Sequence, residues 1–254
     1  MARTSSPLRP DAGAPRRHDD ASEDVVLHLL AGFGVEVSGE EVSLPGSAQR
    51  VVAFVALHER PVLRTYVAGT LWLDSPEPRA AGSLRSALWR IHRHTPELVL
   101  AEAETLRLGP EVRVDLREAE TRARTELSGD SSGSEPDTLT LDLLPDWYDD
   151  WVLIERERFR QLRLRALESM CTRLAAAGRA DEALDAGLLA LAGEPLRESA
   201  HRALVSLHLA EGNAAEALRQ FWLCRRLLHD QLGVEPSPLM LELIAGLDAR
   251  DTSG

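Results

Sequence analysis

Gly178, Glu182, Ala183 and Leu184 recur as Gly212, Glu216, Ala217 and Leu218, each 34 residues later. A fixed period of that length marks stacked helix pairs, each burying its apolar face on the next. Aligned on Ala183, a small residue falls at Ala190 and a closing proline at Pro195. The second copy has Phe221 at the aromatic position, Cys224 at the small one, and His229 where the proline would stand. Two copies are too few for a free solenoid, so flanking helices must cap them.

The period is that of tetratricopeptide repeats, and the chain from Asp115 onward reads as all helix. Its one interruption is the polar loop Gly129-Asp-Ser-Ser-Gly-Ser-Glu-Pro136. The preceding part follows other rules. Val25–Leu30, Phe33–Val37 and Glu41–Leu44 are short apolar runs separated by Gly32 and Gly39, which predicts a small antiparallel meander. Helical periodicity follows over Gln49–His58 and Val62–Trp72. Asp74-Ser75-Pro76-Glu77-Pro78 breaks the chain before a third helix at about Arg79–Arg93. Leu98–Ala101 and Thr105–Leu108 predict a hairpin, with a further strand at Val112–Val114. Strands, three helices, then a hairpin are the order of a winged helix-turn-helix. The expected architecture is therefore an α+β winged helix followed by an all-α tetratricopeptide-like domain. Residues 1–24 read as a disordered tail, residues 25–114 as the winged helix and residues 115–250 as the helical domain.

Charge separates the same regions. The chain of 254 residues carries a formal charge of -12, of which -10 lies in residues 115–254. Within the near-neutral middle, Arg79, Arg85, Arg90 and Arg93 share one acid-free stretch. Binding of nucleic acid through a single element survives this balance, whereas wrapping of long nucleic acid does not. All 29 basic residues are Arg, so a P-loop and Schiff-base chemistry are both excluded. Two widely separated cysteines, Cys171 and Cys224, supply no disulfide framework or zinc spacing, which fits a reducing cytoplasm. No apolar run reaches membrane-span length, and the N-terminus lacks a signal-peptide core.

At 100° per residue the third helix has two faces. Leu84, Leu88 and Ile91 share one, with Ala80 and Ala87 beside it. Arg79, Gly82, Ser86, Arg90 and Arg93 share the other, flanked by Arg85 and Trp89. Gly82 and Ser86 leave room for close approach to a duplex, and the Arg forks suit guanine edges or phosphates. An isolated helix of this kind would read as a solvated basic face; its place before a hairpin favours DNA. Glu102 and Glu104 make the wing tip acidic, leaving Arg107 and Arg113 for backbone contact.

The remaining motifs have plainer readings. Gly129-Asp-Ser131-Ser-Gly133 matches the nucleophile-elbow pattern but sits in a polar loop, without the sheet that chemistry requires. His92 with His94, and His201 with His208, suggest no third metal ligand. Cys171 and Cys224 read as packed core. Trp147 and Trp151 read as anchors between helices rather than a pocket. No catalytic residue, metal or cofactor is expected.

The stretch LWLDSPEPRAAGSLRSALWRIHR resembles the recognition-helix region of the Streptomyces antibiotic regulatory proteins, whose winged helix is of the response-regulator output type. LLPDWYDDWVLIERERFRQLR, the GRADEAL and GNAAEAL repeats and LGVEPSP resemble the bacterial transcriptional activator domain joined to it. The likeness spans about residues 25–248. Two features depart from it: His92 stands where an Arg is usual, and the wing lacks the usual Gly-Tyr-Arg-Leu hairpin. The resemblance implies a cytoplasmic, nucleoid-associated activator of a biosynthetic gene cluster that binds direct repeats near promoters as a dimer. It also implies contact with RNA polymerase through the sigma factor and other subunits. The DNA-binding set on this reading is Arg79, Ser83, Arg85, Ser86, Trp89, Arg90, His92, Arg93 and Arg107, and the polymerase contact is Asp74 and Glu77.

Two other classes remain open on the residues alone. One is an interaction scaffold whose helical groove binds peptide. The other is a ligand-gated regulator, for which no polar constellation is visible.

Overall fold

The computed structural model describes residues 24–129 and 137–251. The tail expected over residues 1–24 lies outside them except for Asp24, as does the Ser131 motif except for Gly129. Strands β1 (Val25–His28), β2 (Gly34–Val37) and β3 (Glu40–Glu41) form the antiparallel meander, with Val25 opposite Val37 and His28 opposite Gly34. Two-residue alternation buries Val25, Leu27 and Val35.

Helices α1 (Gly46–Ala56), α2 (Arg64–Leu71) and α3 (Glu77–His94) follow, with β4 (Val62–Leu63) between the first two. The helix expected from Val62 thus starts two residues later. Val62 and Leu63 instead pair with Leu106 and Thr105 as the third strand of the wing sheet. At the other junction the helix starts earlier than the proline-rich sequence suggests. Glu77 and Pro78 belong to the first turn of α3, where an amide hydrogen is not needed. The wing is β5 (Val99–Glu102) and β6 (Thr105–Leu108), turning through Ala103 at φ 31°.

The further strand, β7 (Arg113–Val114), joins the N-terminal sheet in parallel with β1, Leu27 opposite Val114. That pairing brings Asp115 to the end of β1, where its carboxylate accepts the amides of Leu29 and Leu30. One core joins these layers: Val51, Val52 and Val55 of α1, Leu84, Leu88 and Ile91 of α3, and Leu98 and Leu106 of the wing are all buried.

Beyond β7 come α4 (Asp115–Ser128), a 3₁₀ turn (Asp137–Leu139), α5 (Asp150–Ala176), α6 (Ala180–Gly193), α7 (Glu198–Ala210), α8 (Ala214–Leu232) and α9 (Pro238–Asp251). The expectation of helix throughout fails at residues 140–149. This segment returns to the first sheet: Leu144 donates to Leu29 O (2.9 Å) and Ala31 donates to Asp142 O (2.8 Å). Backbone bonded outward to a sheet cannot also close helical rings. Leu143 and Leu144 are fully buried there.

The α5 helix clamps this segment. Arg156 donates to the carbonyls of Leu143 (2.7 Å), Leu144 and Trp147 (2.8 Å), and Arg163 pairs with Asp142. Trp147 stacks on Phe33 at 5.9 Å, and Trp151 meets Phe54 of α1 edge-on at 5.1 Å. Both tryptophans are anchors.

The two repeats are α5 with α6 and α7 with α8. Gly178 and Gly212 hold the turns inside them at φ 73° and 77°, a conformation that other residues adopt at a cost. Ala183, Ala186 and Ala190 of α6, and Ala217, Phe221 and Cys224 of α8, face inward. Met240 of α9 is buried against α8 as the terminal cap.

Candidate nucleic-acid interface

The apolar stripe of α3 packs into the core, which turns its opposite face outward. Arg79, Arg85, Ser86, Trp89, Arg90 and Arg93 are exposed, and Ser83 is half-buried. An open groove of about 950 Å³ runs along them, lined by Arg79, Ser83, Arg85, Ser86, Trp89 and Arg90. Ser47 at the start of α1 and Trp72 at the end of α2 close its far side. Sequence reasoning missed both, because neither shares a helix with the arginines and only tertiary packing brings them there.

The polar atoms of this face are unevenly engaged. Ser86 Oγ donates to Gly82 O at 3.1 Å, and the Arg93 guanidinium lies 5.6 Å from the Trp89 ring centre. Arg79, Arg85 and Arg90 form no ion pair among the described residues. Most arginines of the helical part are spent internally. Arg173 holds the buried Glu126, Arg197 holds Glu168, Arg160 bridges Glu157 and Glu194, and Arg225 holds Glu235. Arginines without an ion pair among the described residues are densest on α3, and α8 exposes a smaller basic patch at Arg219 and Arg226.

Two residues of the expected DNA set are turned elsewhere. His92 Nε2 donates to Val99 O at 2.8 Å, tying α3 to β5. Arg107 donates to Glu102 at 2.8 Å across the wing, so its charge is compensated within the hairpin. Arg113 likewise pairs with Asp24 at 2.8 Å.

Asp74 and Glu77 are exposed at the α2–α3 junction, and Leu73 beside them is 83% exposed. A second groove, on the other flank of α3, lies between Leu73, Glu77, Ala81 and the wing-tip Glu104. Glu77 lines this second groove together with Arg85, which also lines the first, whereas Asp74 lines neither.

Among the described residues no group of three His, Cys, Asp or Glu is placed to hold a metal ion, and no helix is long and apolar enough to cross a membrane. Burial pushes the thiols of Cys171 and Cys224 up to about 11, far from the thiolate form that reacts.

Comparison with known proteins agrees with this layout. Residues 138–247 match the bacterial transcriptional activator domain. The fold is similar to that of Mycobacterium tuberculosis EmbR, solved in complex with a low-affinity phosphopeptide, with a TM-score of 0.73 and 18% sequence identity. The match covers 90% of this chain and 66% of that one, so this chain spans just under two thirds of that protein's length. No curated protein matches it in sequence. With a bacterial transcriptional activator domain set behind a winged helix, the chain has the architecture of the Streptomyces antibiotic regulatory proteins, the family its sequence resembles.

Proposed function

We propose that this chain binds double-stranded promoter DNA by laying α3 in the major groove, and that it activates transcription by holding RNA polymerase beside it. Residues 25–114 read the DNA and residues 115–250 serve activation. The observation that carries the reading is the α3 face, where Arg79, Arg85 and Arg90 form no ion pair among the described residues, in a chain of charge -12. An acidic protein is repelled by phosphate except where such a face is turned to it. Ser83, Ser86, Trp89 and Arg93 complete the contact surface.

On this reading the sites are direct repeats spaced near one helical turn, about 10–10.5 bp, so that two copies lie on one side of the duplex. Asp74 and Glu77 touch the sigma factor or another polymerase subunit, whose promoter-binding parts must themselves be basic. The target genes belong to a biosynthetic cluster, as the family likeness implies.

The test is to sequence the DNA fragments that the protein retains and to measure affinity for the enriched site. Arg90→Ala is expected to cost about 1–3 kcal/mol on that site and to relax selectivity at one base pair. Asp74→Ala with Glu77→Ala should leave affinity within about threefold while lowering transcription in vitro. Retention of no sequence in common would overturn the DNA reading. Full activation by the double variant would overturn the polymerase contact.

A further inference from the structure

The middle turns of the outer helices of the two repeats expose opposite charges, with Glu216 and Asp230 also exposed toward the ends of α8. Helix α6 contains no basic residue, and it exposes Asp181, Asp185, Leu188 and Ala192, whose spacing puts them on one face. At the positions 34 residues later, α8 exposes Ala215, Arg219, Trp222 and Arg226. Asp185 and Arg219 are thus equivalents of opposite sign, as Leu188 and Trp222 are apolar equivalents. Both stripes stand away from the buried one, formed by Ala183, Gly187 and Ala190 in α6 and by Ala217, Phe221 and Cys224 in α8.

Each stripe sets an apolar side chain beside charges of one sign. Leu188 is 48% exposed and Trp222 is 55% exposed. Asp181, Asp185 and Arg226 form no ion pair among the described residues. Arg219 meets Glu216 one turn away, yet its side chain remains 75% exposed. The Trp222 ring is held in place. Arg225 lies 5.3 Å from its centre and is itself fixed by two bonds to Glu235, at 2.7 and 3.4 Å.

We infer that the chain associates with a second copy, the acidic α6 face of one protomer lying on the basic α8 face of the next. Leu188 then meets Trp222, an aromatic anchor beside an arginine of the kind that dominates interface energies. Ala192, one turn beyond Leu188, leaves room for the indole. Asp185, one turn before Leu188, meets Arg219 when the helices run parallel and Arg226 when they run antiparallel, because the two arginines flank Trp222. Asp181 lies a further turn out, opposite Ala215 when the helices run parallel and beside Asp230 when they run antiparallel, so like charge disfavours the antiparallel arrangement. Joining two different faces lets copies follow one another in a single orientation, with no need of a two-fold axis. That geometry suits successive sites of one orientation, and to this extent the inference rests on the tandem binding proposed above. A single helix face buries less area than a stable dimer needs, so association is weak in solution and strengthens when two copies sit side by side.

Charge reversal tests it with the full-length chain. Asp181→Arg with Asp185→Arg makes both faces basic; Arg219→Glu with Arg226→Glu makes both acidic. Thermal unfolding of each variant first establishes that it is folded, and Asp185→Asn replaces the first variant if that one is not. Sedimentation equilibrium at low salt, from micromolar to hundreds of micromolar, is expected to show association of the wild type and at least about tenfold weaker association of each charge-reversed variant alone. An equimolar mixture of the two restores it, since each then meets its complement. A monomeric wild type, undiminished association of either variant, or a mixture of folded variants without recovery overturns the proposal. Binding to a single half-site is measured separately. Failure there would count against the DNA reading and leave the sedimentation result to judge this one.

Discussion

Asp115 and Leu29 join the two halves of the molecule: the Asp115 carboxylate accepts the Leu29 amide at 2.9 Å and, through its other oxygen, the Leu30 amide at 3.1 Å. Burial pushes this carboxyl above its ordinary value, and the backbone amides of Leu29, Leu30 and Leu116 work against that push. An amide side chain offers only one acceptor oxygen, so Asp115→Asn leaves one of these buried donors facing an NH₂ group. The expected loss is about 1–3 kcal/mol by urea unfolding. An unchanged midpoint would show that the junction holds without it.

His201 makes the second repeat sensitive to acid. Its Nε2 donates to Pro195 O at 2.9 Å, and its Nδ1 accepts from Gln220 at 2.6 Å, which fixes a neutral ring. Burial lowers its pKa. The unfolded chain therefore takes up a proton that the folded one refuses, and stability is lost as pH falls through the unfolded value near 6.5. Melting curves between about pH 5 and 7.5 should fall more steeply for the wild type than for His201→Gln. Parallel curves would remove His201 as the cause.

Gly187 occupies the repeat position that Phe221 fills in the next copy. A Cβ there would collide with Leu204 Cδ2 and come within 3.3 Å of Cys171 Sγ. Gly187→Ala is expected to cost about 1–3 kcal/mol through overpacking, measured by thermal unfolding. A neutral effect would mean that Leu204 shifts freely.

Glu102 withholds Arg107 from any external anion. With Glu102→Gln the arginine is released and one negative charge leaves the wing tip. Affinity for DNA should rise, and the slope of log K against log salt should steepen by about one counterion. His92→Ala, by contrast, should leave that slope unchanged while weakening the link from α3 to β5, because its ring is engaged with Val99. A loss of DNA affinity in His92→Ala comparable with that of Arg90→Ala would reverse this assignment.

Local pattern made much of this legible. The alternation of Leu84, Leu88 and Ile91 against the arginines located α3 and its exposed face, and the 34-residue recurrence located the inner residues of α6 and α8. What escaped was decided at long range. The pairing of β7 with β1 joins segments nearly 90 residues apart, and nothing within Arg113-Val114 names its partner. Residues 140–149 look like any polar approach to a helix until Leu143 and Leu144 are seen under the first sheet. His92 entered the expected DNA-binding set because the family this chain resembles has an arginine at its position. Its hydrogen bond to Val99 depends on where the wing packs.

Every positive charge on the α3 face is a guanidinium, as it is throughout a chain without lysine. A guanidinium stays protonated at any pH at which the protein is folded. Enzymes that acetylate side-chain amines find no substrate here, so the charge of this surface cannot be erased by the commonest reversible route. Control of this face falls to other means, among them ionic strength, occupancy by a competing anion, and how many copies of the protein are made. The same feature gives the experimentalist a free hand: amine-directed dyes and surface-immobilisation chemistries leave every side chain of the interface untouched.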